Sequence, residues 1–483
     1  MRSNWVSAFA LAGCVSFGVF ACSSGEGGSP APAADAGRDG AVAPRPDAGP
    51  VDAGPVEGAS CANAIAADLG VEVDGNIDAE GKQVFYAIDV KAGDFLFLGA
   101  STAATPATGE EIVDTAITVY DAAGTKMLAN LDDAFPRYAT DAELYYRAPV
   151  DARLCVRVTD YATWAGDASS VATDNAYKFF AGKIDPNSAV VTFDTGANDT
   201  DAAPQTGKLK AYTQSPGAYT LLVGTLSSAS DVDTFKFTVP AGAKAIGVAV
   251  PPIGAPLAAA TSSYGSSMER FVVTVKKTDG TVVAELAPPA GAVAAMSDGL
   301  SAPVDPGEYL VTVSRPSGFT AGANDFYATT LSFGGTNTAE AEALGANTND
   351  TLATAQALTL ATDTTNAKRK EGFVLGYLPA GDAADTFSFP VAANDKVTVS
   401  CSAARNGSGL EGLKVELFLG GASKQSEVEV ATKDLVWSDS RGASKPSVTA
   451  TAAGTAAVQL STTGRSPRVT GTFYICGFHT TAP

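Results

Sequence analysis

The sequence predicts an all-β protein: three tandem β-sandwich modules of jelly-roll-like type behind a signal peptide and a disordered linker. Three observations carry that expectation. Apolar residues alternate with others at a period of two in many short stretches, as half-buried strands require. Landmarks in the second and third copies of the pattern share an offset of about 151–152 residues, which marks duplication. No long stretch shows the capped 3.6-residue period of a helix. The expected boundaries are 1–22 for the signal, 23–58 for the linker, and 59–195, 196–336 and 337–483 for the modules.

The chain opens with Arg2 and an apolar stretch from Trp5 to Phe20. This is the pattern of an export signal and is too short and glycine-broken for a comfortable membrane span. Val19-Phe20-Ala21-Cys22 resembles the lipobox of bacterial lipoproteins, in which the cysteine is acylated and becomes the mature N-terminus. Leu11-Ala12-Gly13-Cys14 is a competing lipobox, and an ordinary secretory signal is a third reading. Cleavage before Cys22 leaves Cys61, Cys155, Cys401 and Cys476, an even set suited to an oxidising compartment, whereas cleavage before Cys14 leaves five. The tract that follows is rich in Ala, Pro, Asp and Gly, with repeated Asp-Ala-Gly-Pro units, and cannot bury enough surface to offset chain entropy. It reads as a tether reaching between about 35 Å as a coil and about 110 Å as polyproline.

The repeat is clearest in Asn198-Asp199-Thr200, which returns as Asn349-Asp350-Thr351. Asp231-Val232-Asp233-Thr234-Phe235-Lys236-Phe237 likewise returns as Asp382-Ala383-Ala384-Asp385-Thr386-Phe387-Ser388-Phe389. In the first copy, Tyr86, Ile88 and Val90 hold the alternate positions of Phe235, Phe237 and Val239, and Val84 stands where an Asp is expected. Further strands are expected over 116–120, 154–158, 271–275 and 309–313, with turns at Asp121-Ala122-Ala123-Gly124 and Thr278-Asp279-Gly280. Each copy closes on an aromatic strand: Ala176-Tyr177-Lys178-Phe179-Phe180, Phe326-Tyr327-Ala328-Thr329, and Phe473-Tyr474-Ile475-Cys476.

This order of motifs resembles the bacterial pre-peptidase C-terminal domain, best from Asn198 through Val313, fairly in the third copy and partially in the first. The resemblance implies small β-sandwiches that serve as accessories of exported proteins in substrate binding, surface attachment or secretion. It also raises calcium, since related collagen-binding sandwiches hold that ion with acidic and amide side chains from equivalent segments. The candidate ligands here are Asn198, Asp199, Asp231 and Asp233 in the second module and Asn349, Asp350, Asp382 and Asp385 in the third. Calcium takes six to eight hard oxygen ligands. Ordinary turn chemistry is the competing reading of the same residues. Cysteine pairing within modules, Cys61 with Cys155 and Cys401 with Cys476, would close loops of about 75–95 residues and contribute about 4–5 kcal/mol in the chain-entropy model.

The charge balance, 52 acidic against 32 basic residues, argues against nucleic acid as a partner. One histidine, His479, removes histidine-rich metal sites and most Ser-His or Cys-His arrangements; four residues from the C-terminus, it is expected at the surface. No nucleophile-elbow, zincin, Walker or Rossmann motif is present, so no catalytic residue is expected. Trp164, Trp437, Tyr145, Tyr146 and Tyr161 are candidates for sugar-stacking platforms, with core packing the commoner use of such residues. The leading expectation is a non-enzymatic protein held by its N-terminal lipid to the cell envelope, at the outer membrane, and binding glycan, protein or matrix. A structural spacer or accessory subunit is the alternative, and a carboxylate-based hydrolase the more remote one.

Overall fold

The computed structural model describes residues 56–102, 112–132, 141–286, 298–334, 338–339, 348–362, 367–428 and 448–483, without 170, 173, 213–216, 252, 255–256 and 319. The signal, Cys14 and Cys22, the linker through residue 55 and Trp437 lie outside the described residues. Among the described residues no helix is long and apolar enough to cross a membrane.

Each module is a pair of sheets. The first comprises β1 (Ile65–Ala66), β2 (Glu72–Asn76), β3 (Gln83–Val90), β4 (Phe95–Ser101), β5 (Thr115–Asp121), β6 (Met127–Leu131), β7 (Ala142–Arg147), β8 (Ala152–Asp160) and β9 (Ala176–Lys183). One sheet runs β1-β3-β8-β5-β6 and the other β2-β9-β4-β7. The second module comprises β10 (Val191–Phe193), β11 (Gln205–Thr206), β12 (Lys210–Ala211), β13 (Ala218–Thr225), β14 (Val232–Thr238), β15 (Ala245–Val250), β16 (Val272–Lys277), β17 (Val282–Leu286), β18 (Asp298–Pro303), β19 (Glu308–Ser314) and β20 (Phe326–Gly334). Its sheets run β10-β13-β20-β15-β18, with β12 added on β13, and β11-β14-β19-β16-β17. Strand β10 precedes residue 196 in the chain, yet it pairs into the second module's sheet.

The third module repeats the plan with β21 (Thr338–Ala339), β22 (Gln356–Ala357), β23 (Ala361–Thr362), β24 (Arg369–Tyr377), β25 (Asp385–Val391), β26 (Lys396–Ser402), β27 (Leu410–Leu419), β28 (Ala422–Val428), β29 (Val448–Thr449), β30 (Gly454–Arg465) and β31 (Phe473–Thr481). The sheets are β21-β24-β31-β26-β29, with β23 on β24, and β22-β25-β30-β27-β28. The all-β, tandem-sandwich expectation therefore holds at the level of fold class.

Local chemistry explains the repetition. Val84, Tyr86, Ile88 and Val90 on β3, and Phe235 and Phe237 on β14, enter the cores as the alternation predicts. The strands after β3, β14 and β25 are reached through one turn position with positive φ, filled by Gly93 (86°), Gly242 (83°) and Asn394 (70°). Asparagine is among the few side-chain-bearing residues that tolerate this region. The disulfides join Cys61 to Cys155 and Cys401 to Cys476, with Cα atoms 5.6 and 4.1 Å apart. Such bonds suit a chain exported to an oxidising compartment.

The modules meet through backbone as well as side chains. Asn130 at the edge of the first module exchanges both main-chain bonds with Ser263 of the second, at 2.8 and 2.6 Å. Its side-chain nitrogen donates to the Ala258 and Thr261 carbonyls, while its side-chain oxygen accepts from Thr118 Oγ1 (2.7 Å) and Trp164 Nε1 (2.6 Å). Trp164 is delivered by the single-turn α1 (Tyr161–Ala165), whose N-cap Asp160 accepts from Thr163 N. A Cβ at Gly265 would lie 1.9 Å from the Leu128 carbonyl oxygen, so only glycine allows this approach. One apolar cluster runs through both modules and takes in Phe473 of the third, whose remaining core is separate.

At the second joint, the outer strand β17 is met by third-module loops. Glu285 N donates to the Gly407 carbonyl at 2.9 Å, and the Val282 carbonyl accepts from Thr470 N at 3.0 Å. Satisfying an edge strand in this way removes a site of unwanted pairing.

Replacing Asn130 with Ala leaves the Trp164 and Thr118 donors and two carbonyls of the second module without this partner. Chemical denaturation is expected to show a loss of roughly 3 kcal/mol. Asn76→Ala, at an exposed position bonded to Lys82, serves as the control and is expected to change stability by less than about 0.5 kcal/mol.

Candidate functional site

Most of the oxygen donors singled out in the second module gather around a tyrosine that crosses from the opposite sheet. Tyr327 on β20 sits directly opposite Gly224 on β13. A Cβ at Gly224 would lie 2.3 Å from the Tyr327 hydroxyl oxygen and 2.5 Å from Cζ, so the ring crosses the strand only because that residue is glycine. The hydroxyl donates to Asp233 Oδ2 at 2.7 Å. Asp233 belongs to β14 in the facing sheet and is 1% exposed. The bond thus ties the two sheets together.

A second carboxyl, Asp194, follows β10 directly and accepts from Gly196 N at 2.8 Å. The Asn198 amide, with its nitrogen toward the acid, donates to Asp194 Oδ1 at 2.9 Å and accepts from Thr234 N at 3.3 Å. Asp231 accepts from both the backbone N and the Oγ of Ser227. Asp199 is exposed. Burial pushes the Asp233 carboxyl up to about 8, the Tyr327 bond offsets only part of this, and the charges of Asp194 and Asp231 add to the rise. Burial also raises Asp194, whose bond with Asp233 acts in the opposite direction. At neutral pH Asp233 keeps its proton and shares it with Asp194, as expected of two carboxyls in one dry site.

The loop that supplies Asp231 is clamped by Arg315, whose guanidinium donates to the carbonyls of Leu226 and Ser228 and to Asp325. Burial works against the Asp325 carboxylate, but bonds from Ser267, Gly322 and Arg315 hold it below its ordinary range. In the third module Arg465 does the same work, donating to the carbonyls of Leu378, Pro379 and Asp382. There Tyr474 faces Gly376, where a Cβ would lie 2.2 Å from the hydroxyl oxygen. Asn349, Asp382 and Asp385 are buried and Asp350 is half-buried. The Asn349 backbone carbonyl accepts from Thr386 N, as the Asn198 backbone carbonyl accepts from Thr234 N, both at 2.9 Å.

These donors are oxygen atoms throughout, the chemistry calcium takes. In the second module Asp231 bonds to Ser227 four residues away, as turn chemistry predicts, whereas Asp233 bonds across the sandwich to Tyr327. Among the described residues no group of three or more His, Cys, Asp or Glu side chains is arranged to hold a metal ion. Asp194, Tyr327, Gly224 and Arg315 were not evident as site residues in the sequence. Periodicity marks Tyr327 only as part of a closing aromatic strand, and the recurrent Gly–Tyr opposition across strands is its one sequence-level trace.

His479 departs from its expected surface position. It is 7% exposed on β31, between β24 and β26, with Nδ1 3.0 Å from an Arg369 guanidinium nitrogen. The strand continues past Cys476 through Thr481, which carries the histidine into the sheet. Trp164 and Tyr146 are buried, Tyr145 meets Tyr264 edge-on at the first joint, and among the described candidates only Tyr161, 41% exposed, retains an open face.

No family model matches the chain, and no curated protein does. Among solved structures it is similar to the pre-peptidase C-terminal domain of collagenase from Bacillus anthracis, with 11% identity, 24% of this chain and 93% of that one covered, and a TM-score of 0.19. It is also similar to the tandem CBM51 modules of the family 98 glycoside hydrolase from Streptococcus pneumoniae, with 10% identity, coverage of 55% and 84%, and a TM-score of 0.17. A third similarity is to the CUB1-EGF-CUB2 domain of human MASP-1/3, with 10% identity, coverage of 55% and 98%, and a TM-score of 0.15. All three scores are low, and the fold rests on the strands and registers themselves.

The Asp233 site makes the second module sensitive to pH. Its folded carboxyl titrates near 8 and its ordinary value is 3.8, so the associated stability is present below about 4 and lost as pH rises through 8. The full swing is on the order of 5 kcal/mol. Scanning calorimetry in chelator is expected to show a lower unfolding temperature at pH 9 than at pH 6, and a shallower slope in Asp233→Asn. Some slope remains, because burial, with Asp141 adding, pushes Glu143 up to about 7.

Proposed function

We propose that this chain is a non-enzymatic, exported protein, anchored to the cell envelope through lipidated Cys22, that binds a glycan or an extracellular protein through the loops of its sandwich modules. The observation that carries this reading is where the reactive side chains are spent. Tyr327 and Asp233 join two sheets, Asn130 joins two modules, Arg315 and Arg465 hold loops, and His479 lies inside a sheet. Buried polar groups used in this way hold a surface in a preset shape, which lowers the ordering cost of binding. A spacer role is the second reading, favoured by the backbone bonds at both joints.

A screen of the mature chain against glycans and matrix proteins is expected to return a ligand whose binding is lost on changing exposed residues such as Tyr161, the first residue of α1. A screen without ligands would favour the spacer. Metabolic labelling with a fatty-acid analogue is expected to mark the wild type and not Cys22→Ala; undiminished labelling in the variant would remove the anchor from the proposal.

A further inference from the structure

We infer that the first module has given up the acidic, cation-compatible form of the sheet-to-sheet tie and closes the same place with two tyrosine hydroxyls, so that any divalent-cation response of this protein is confined to the second and third modules. Registers identify the equivalent positions. Tyr86, Phe235 and Phe387 each pair with the short parallel strand at the sheet's edge, opposite Ile65, Gln205 and Gln356. Counting back two residues puts Val84 of the first module where the others have Asp233 and Asp385. The residue whose carbonyl accepts the next amide is Gly58 in the first module and Asn198 and Asn349 in the others. Both oxygen-bearing side chains are therefore absent from the first copy.

What replaces them is built, not missing. Val84 is 7% exposed, and its Cγ1 would lie 3.6 Å from a Cβ placed on Gly58, beside Ile65 at 3.0 Å. The crossing tyrosine is retained: Tyr177 on β9 faces Gly75 on β2, where a Cβ would lie 2.4 Å from Tyr177 Cζ. With no carboxyl to meet it, the Tyr177 hydroxyl bonds instead to the Tyr86 hydroxyl at 3.0 Å. Tyr86 also stacks on Phe179, ring centroids 4.2 Å apart. The position of Tyr86 is phenylalanine in the other two modules, so its hydroxyl is the compensating change. A neutral hydroxyl pair in an apolar surround offers a cation neither charge nor the six to eight oxygens that calcium takes.

The test is hydrogen exchange with mass spectrometry on the full mature chain, in calcium and in chelator, for wild type and Tyr86→Phe. Exchange in peptides covering 72–90 and 176–183 is expected to be unchanged by calcium. Calcium-dependent protection there would overturn the inference. Tyr86→Phe deprives the buried Tyr177 hydroxyl of its partner and is expected to speed exchange in those peptides about tenfold, equally in calcium and in chelator. No acceleration would overturn the inference even if calcium acts nowhere on the chain. A larger acceleration in chelator than in calcium would do so as well.

Discussion

A hydroxyl carried into a β-sandwich is expensive to leave unpaired, and that constraint organises much of this structure. Tyr327 crosses from one sheet toward the other, and its hydroxyl bonds to Asp233. Once this bond is required, several features follow. The strand it crosses needs glycine at residue 224. The acid needs a proton or a counter-charge, because Asp194 and Asp231 stand nearby. The loop that brings Asp231 close needs holding, which Arg315 does through carbonyl oxygens. The first module meets the same constraint with Tyr86 and Tyr177 and so has no carboxyl to neutralise.

The joints between modules obey a related rule at the level of the backbone. A sheet ends in unpaired amides and carbonyls, and a tandem array multiplies those ends. At both joints they are used as contacts. Asn130 exchanges main-chain bonds with Ser263, and β17 bonds to Gly407 and Thr470. Backbones approach this closely only where a Cβ is absent, as at Gly265 and at Gly471, where a Cβ would lie 2.0 Å from the Val283 carbonyl oxygen. Asn130 adds a side chain that accepts inside one module while donating into the next. Hinge motion at that joint would have to break bonds and expose apolar surface together.

Much of the fold was legible because it depends on local alternation and on repetition. The period-two pattern in β3 and β14 located strands, and the paired landmarks located the duplicated plan. An even count of cysteines, two in the first module and two in the third, anticipated both disulfides. The candidate site was less legible because its geometry is non-local. Tyr327 and Asp233 are 94 residues apart, and their bond depends on a glycine in a third strand. Asp194 lies outside the recognisable Asn-Asp-Thr and Asp-x-Asp motifs. Nearness to the C-terminus suggests exposure for His479, whereas strand β31 runs on to Thr481 and buries it. Position along the chain says little about burial when the last strand is a central one.

The first two modules solve one problem with two chemistries. A tie made through a carboxyl responds to protons because it has two charge states; a tie between neutral hydroxyls has one across the physiological range. The first module has the unresponsive version, and the second, which follows it in the chain, has the acidic one. The joint at Asn130 fastens the two kinds together, so a change at Asp233 would be felt against a fixed first module and not dissipated by reorientation. Binding loops on such a body would meet a ligand with their relative positions already set. Whatever energy a ligand contributes then goes into contact and not into ordering the modules.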